Sequence, residues 1–138
     1  MPQGKELASQ VAGATAVDAG RYKGLVTPVG FTTPSGNLTC GLSAGADAMV
    51  TCQIESFTFT SPAGDCNGGG SGGAIVYTPP AQPVFACSGD VESGGPVLQY
   101  GSKLSVKGLT CVSRAVGVIC VDDRAHGFLL ARARYSVQ

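Results

Sequence analysis

Tryptophan is missing and histidine occurs once, at position 126. The first absence removes the side chain best suited to form a flat platform for sugars. The second confines any histidine-dependent chemistry to a single residue. Charge is sparse: nine Lys+Arg balance nine Asp+Glu in 138 residues. No cationic surplus exists for nucleic acid or an anionic membrane. No apolar run approaches the ~20 residues of a membrane helix. No C-x-x-C pair occurs, which argues against a zinc ribbon or a thioredoxin-type site. Strong helical patterning is missing too; Glu6–Val17 (ELASQVAGATAV) is the one stretch with helical composition, and it lacks a convincing apolar face.

What is abundant is glycine, at 21 residues, together with 8 prolines and 6 cysteines. Gly and Pro at this density predict many turns between short strands. The length suits one domain with a real core. Residues 1–24 read as an N-terminal segment, partly disordered or a short helix. Residues 25–138 read as a single all-β disulfide domain. Thr33-Pro34-Ser35-Gly36-Asn37 is a dense turn signal. Strands are predicted at about 37–43 and 48–60, around a turn at Ala44-Gly45-Ala46-Asp47. Val50, Cys52 and Ile54 share one face, and Phe57 and Phe59 fall in the opposite phase, suggesting a bulge near Glu55-Ser56. After the loop 61–73, short strands are predicted at Ala74–Tyr77, Val84–Cys87 and Val97–Tyr100. One strand is expected over Lys103–Val112 with a bulge at Gly108. Ala115–Val121 is apolar on both faces, as in a central strand. The final HGFLLARARYSV alternates: Leu129, Ala131, Ala133, Tyr135 and Val137 take one side, Arg132 and Arg134 the other. The fold class is all-β, a small disulfide-stapled antiparallel sandwich or barrel.

One pattern is written twice. NLTCGLSAGADAMVTCQI (37–54) and GLTCVSRAVGVICV (108–121) both carry L-T-C, a small-residue connection, and a β-branched residue shortly before a second Cys. Each reads as a hairpin with a cysteine on each arm, and cysteines facing each other across antiparallel strands sit within disulfide range. Six cysteines allow 15 connectivities. Hairpin geometry selects Cys40–Cys52 and Cys111–Cys120, leaving Cys66–Cys87 to close the Gly-rich loop. The echo suggests two similar halves, 31–60 and 100–135, about a rough pseudo-twofold. Three disulfides imply an oxidising compartment, secreted or extracytoplasmic. The chain opens MPQGKELASQ, without the apolar core of a signal peptide, so export implies a signal that is absent from this chain.

F-T-T-P-S-G-N-L-T-C (31–40), V-T-C (50–52), V-L-Q-Y-G (97–101), C-V-S (111–113), G-V-I-C (117–120) and H-G-F (126–128) followed by Arg and Tyr together resemble an actinobacterial family. Its members are small secreted proteins and lipoproteins whose domain has no assigned function. The resemblance covers about 30–138. It implies export to the envelope or medium and disulfides, and it supplies no catalytic residue. Lipoprotein members would carry an acylated N-terminal Cys, which this chain does not show.

Candidate chemistry centres on His126, in D-D-R-A-H-G-F beside Asp122 and Asp123. A hydrolytic triad could recruit Ser35, Ser71 or Ser113, but no G-x-S-x-G elbow is present. The favoured reading is a structural histidine at a strand entry, hydrogen-bonded to a turn carbonyl. Asp122, Asp123 and His126 crowd too closely in one turn for a zinc site, so no metal is expected. Glu55, Asp65, Asp90 and Glu92 offer acids for a glycosidase pair, with nothing to fix their separation. GGGSGG (68–73) is not followed by the Lys-Ser/Thr of a phosphate loop. Asn37-Leu38-Thr39 matches a glycosylation triplet and reads as part of the turn. Arg124, Arg132 and Arg134, with His126 and with Lys103 or Lys107, form a candidate basic face for an envelope or extracellular protein or glycan. The expectation is a non-catalytic secreted or cell-envelope module without a cofactor. The alternatives are a small secreted hydrolase using His126, or a proteinase inhibitor presenting the 66–87 loop.

Overall fold

The computed structural model describes residues 3–44, 47–64, 66, 70–88 and 93–137. Two sheets face each other. The second sheet runs β2 (Val29–Thr32), β3 (Leu38–Ala44), β4 (Ala48–Ile54), β5 (Ala74–Tyr77) and β6 (Val84–Ala86), each antiparallel to the next. The first runs β7 (Ser102–Val106), β8 (Leu109–Arg114), β9 (Gly117–Val121), β10 (Gly127–Leu130) and β11 (Tyr135–Val137), again antiparallel and in chain order. Each sheet is thus built on an uninterrupted five-strand meander from its own stretch of chain. The sheets do not close on each other, so the architecture is a sandwich and not a barrel.

The repeated L-T-C units occupy equivalent places, strands two and three of each meander. Cys40 pairs directly with Cys52 and Cys111 with Cys120, and both pairs are disulfides with Cα–Cα separations of 4.1 Å. The third bridge is Cys66–Cys87. Cys40, Cys52, Cys111 and Cys120 are all inaccessible to solvent. The Sγ atoms of Cys40, Cys52 and Cys120 lie within 4.8 Å of one another. The two hairpin disulfides therefore meet across the inter-sheet core. Phe31, Leu42, Val50 and Ile75 surround them from one sheet, and Leu104, Leu109, Val118 and Phe128 from the other.

The N-terminal segment belongs to this structure. Its helix α1 spans Gln3–Ala12, starting earlier and ending earlier than its composition suggests. Leu7 and Val11, one turn apart, form the apolar face that the sequence seemed to lack. Leu7, 2% exposed, sits on Ile119, Val121 and Leu129, on the outer side of the first sheet. Burying such a leucine stabilises by roughly 1.5–3 kcal/mol. The last carbonyls of the helix are met by side chains: Lys103 Nζ donates to Val11 O at 3.1 Å, and Arg114 Nη2 donates to Gln10 O. Cations at this end also complement the helix dipole. β1 (Thr15–Ala16) then pairs in parallel with β7 and adds an edge strand to the sheet. This explains why β9 is buried on both faces: disulfide core on one side, α1 on the other.

Several local expectations change. The strand expected over 48–60 stops at Ile54; Phe57 and Phe59 lie in the irregular segment beyond it. They stack at 4.6 Å and join Phe85 and Tyr135 to seal one side of the sandwich. Val97–Tyr100 is not a strand but a crossover with one bridge, Thr32 to Val97. The expected bulge at Gly108 is a two-residue hairpin turn: Lys107 and Gly108 have φ of 44° and 84°, as a type I′ turn requires. The C-terminal alternation is a hairpin too. Ala131 N–H donates to Arg134 O at 2.9 Å, and β11 folds back on β10. Consequently Leu129 faces α1, whereas Tyr135 and Val137 join the inter-sheet core. Gly127 marks the tightest approach of β10 to β9: a Cβ there would meet Cys120 O at 1.9 Å.

Candidate ligand cleft at the loop end

The meanders place alternate turns at opposite ends of the sandwich. The lower end carries the β7–β8 and β9–β10 turns. Asp122 organises the latter: its Oδ1 accepts from the backbone N–H groups of Arg124 and His126, each at 2.9 Å. The backbone of Asp122 donates to His126 O at 2.8 Å, and the Tyr77 phenol donates to the same oxygen at 3.2 Å. The structural role expected for His126 thus falls to its backbone, and its imidazole is exposed. Asp122 is engaged as a turn cap. Burial first, then the charge and hydrogen bonding of Asp122, hold the Tyr77 phenol well above the usual range. Asp122, Asp123, Arg124 and Lys107 line a small hollow of about 190 Å³ here.

The serines considered as partners for His126 are elsewhere. Ser35 lies in the β2–β3 turn, hydrogen-bonded to Thr33, and Ser71 accepts from Gly73 N–H on the loop before β5. Ser113, on β8, is fully buried, and its hydroxyl has no partner. Of the acids considered for a glycosidase pair, Glu55 is exposed at the end of β4, and Asp65, Asp90 and Glu92 lie outside the described residues, as do Gly68 and Gly69 of the glycine run. The 66–87 segment is chiefly the β5–β6 hairpin of the second sheet, not a single extended loop.

The expected basic face divides. Arg124 and His126 lie at the lower end, while Arg132 and Arg134 lie in the β10–β11 turn at the upper end. They are separated by the length of β10, about 10 Å of strand rise. Lys103 is committed to the helix terminus.

The upper end gathers residues that no sequence motif joins. The β2–β3 turn, the start of the 55–60 crossover, Tyr100, the β8–β9 turn and the β10–β11 turn surround a cleft of about 370 Å³ between the sheets. Thr33, Ser35, Asn37 and Ser56 form its polar rim on one side; Tyr100, Arg114, Val116 and Arg132 face them. The rim is rigid by construction. Asn37 exchanges two side-chain hydrogen bonds with the Ser56 backbone, at 3.0 and 2.7 Å, and Thr58 N–H donates to Arg132 O at 2.8 Å. Arg114 is pinned through Gln10 O, yet its buried Nε–H has no acceptor. Tyr100 and Val116 are 45% and 61% exposed. They form a ridge between this cleft and a shallower groove of about 580 Å³ beside α1. Arg114 and Arg132 line the cleft, and no carboxylate does among the described residues. A second hollow of about 410 Å³ on the outer side of the second sheet is rich in hydroxyls and carries Glu55, with no Arg or Lys among its described lining residues.

The fold and this end define the class: a disulfide-stapled, double-meander β-sandwich with a preformed cleft between its loops. Residues 11–137 match the model of a family of unknown function, DUF6636, and the chain belongs to that family. No curated protein and no solved structure matches it.

Proposed function

We infer that this protein is an exported, non-catalytic binding module that works in the cell envelope or medium. What carries the reading is the upper end: an exposed Tyr100–Val116 ridge beside a rigid cleft, on a scaffold held by three disulfides. Leu25, Val26, Val84 and Val97 are exposed as well, but Tyr100 and Val116 are the exposed pair that lines the cleft, and apolar surface beside a cleft suits recognition. Loops at one end of a sandwich are a common place to build one, since the strands fix their spacing. Three disulfides suit an oxidising compartment, which supports export. Catalysis through His126 gains no support from its position, because its imidazole is exposed and Asp122 is occupied by the turn.

Retention on envelope material from a producing cell tests the reading. The double variant Tyr100→Ala/Val116→Ser should keep the parent's thermal melt and lose most of its retention. His126→Ala should be retained like the parent. Equal retention of the double variant would remove the upper end as the binding surface.

A further inference from the structure

Resting on that reading of the upper end, we propose that the cleft takes an acidic sugar, with a uronate ring against Tyr100 and its carboxylate between Arg114 and Arg132. The charge of the lining favours an anion: Arg114 and Arg132 both line this cleft, and none of its described lining residues is a carboxylate. Guanidinium groups match carboxylates geometrically, through paired N–H donors in one plane. Arg114 is suited to this because the helix carbonyl of Gln10 holds its guanidinium in place before any ligand arrives. A donor fixed in advance loses little freedom on binding.

The remaining lining favours a carbohydrate over an acidic peptide. An extended peptide needs a strand edge to pair with or an apolar pocket for a side chain. This cleft is bounded by turns, and its opposite rim is hydroxyl and amide: Ser35, Asn37 and Ser56. Such groups serve a ligand covered in hydroxyls. Tyr100 offers an aromatic face there, half exposed and flat, against which the C–H side of a pyranose ring can lie. The volume, about 370 Å³, falls in the range of small-ligand sites.

The test uses the whole protein and purified oligogalacturonate, with the same oligosaccharide after carboxyl reduction as the neutral control. Calorimetry should give binding to the acidic form that weakens as salt rises, and at least about tenfold weaker binding to the neutral form. Arg132→Gln and Tyr100→Ala should each reduce affinity about tenfold while leaving the melt unchanged. Arg124→Gln removes the same charge at the opposite end and should change affinity less than about twofold. Amide shifts should move at Asn37, Ser56, Tyr100 and Val116. Equal binding of the neutral sugar, or equal losses from Arg124→Gln and Arg132→Gln, would overturn the proposal. So would a polyglutamate peptide bound equally well with the same Arg132 dependence. If oligogalacturonate fails but envelope retention still depends on Tyr100 and Val116, the ligand chemistry is wrong and the binding surface stands. If both fail, the surface falls with it.

Discussion

Removing the disulfides one at a time separates two contributions that rank them in opposite orders. The bridges close sequence separations of 12, 21 and 9 residues for Cys40–Cys52, Cys66–Cys87 and Cys111–Cys120. Chain entropy alone assigns them about 2.9, 3.4 and 2.7 kcal/mol, so the Cys66–Cys87 bridge should matter most. Packing reverses this. Cys40, Cys52, Cys111 and Cys120 are fully buried and their bridges meet in the core, whereas Cys66 and Cys87 are half-buried beside the edge strand β6. Replacing a buried pair by alanine deletes two sulfur atoms from a close-packed centre, roughly 2 kcal/mol beyond the entropy. The expected losses are then about 5 kcal/mol for Cys40→Ala/Cys52→Ala and about 4.7 for Cys111→Ala/Cys120→Ala, against about 3.5–4 for Cys66→Ala/Cys87→Ala. Urea denaturation without reductant measures all three. A ranking by loop length, with Cys66–Cys87 the costliest, would refute the claim that the two hairpin bridges support each other across the sandwich.

Two further expectations concern the lower end. Asp122→Ala deprives two backbone N–H groups of their acceptor and should cost about 1–2 kcal/mol, whereas His126→Ala should stay within about 0.5 kcal/mol, both read by chemical denaturation. The reverse order would mean that the imidazole, not the Asp122 carboxylate, organises the turn. The raised Tyr77 ionisation means that the fold favours the neutral phenol. Its contribution is therefore complete below the unfolded value near ~10 and is lost as pH climbs above it. Tyr77→Phe should flatten the alkaline fall in the denaturation midpoint; an unchanged fall would assign it to other groups.

The covalent framework was legible because it depends on local pairing. Cys40, Cys52, Cys111 and Cys120 announce their partners through hairpin register, which short sequence separation fixes. Their meeting across the core was not legible, since it depends on how two sheets stack. Turns lacking Gly or Pro at their centre were missed: Ala131–Arg134 reads as strand because A-R-A-R continues the alternation. Lys107 at positive φ hid a hairpin behind what resembled a bulge, because a lysine is an unusual first residue for a type I′ turn. The helix face was too sparse to see, with Leu7 and Val11 standing alone until Ile119, Val121 and Leu129 are placed beneath them. The candidate cleft was the least visible feature. Arg132 stood out, but with Arg124 as a companion from the wrong end. Tyr100 shows only as part of V-L-Q-Y-G, where it reads as the end of a strand, and Val116, in R-A-V-G, passes for the start of a buried strand.

Because each meander is drawn from its own stretch of chain, every cross-link closes within one half. Cys40, Cys52, Cys66 and Cys87 precede the passage to β7, and Cys111 and Cys120 follow it. A single proteolytic cut between Cys87 and Ser102 therefore yields two polypeptides that share no covalent bond, each still carrying its own hairpin staple. What keeps such a nicked molecule together is the core and the N-terminal strap, in which α1 and β1 from the first fragment clasp the sheet built by the second. The molecule is, in effect, a ready-made split protein: its halves can be produced apart, oxidised apart, and asked to find each other.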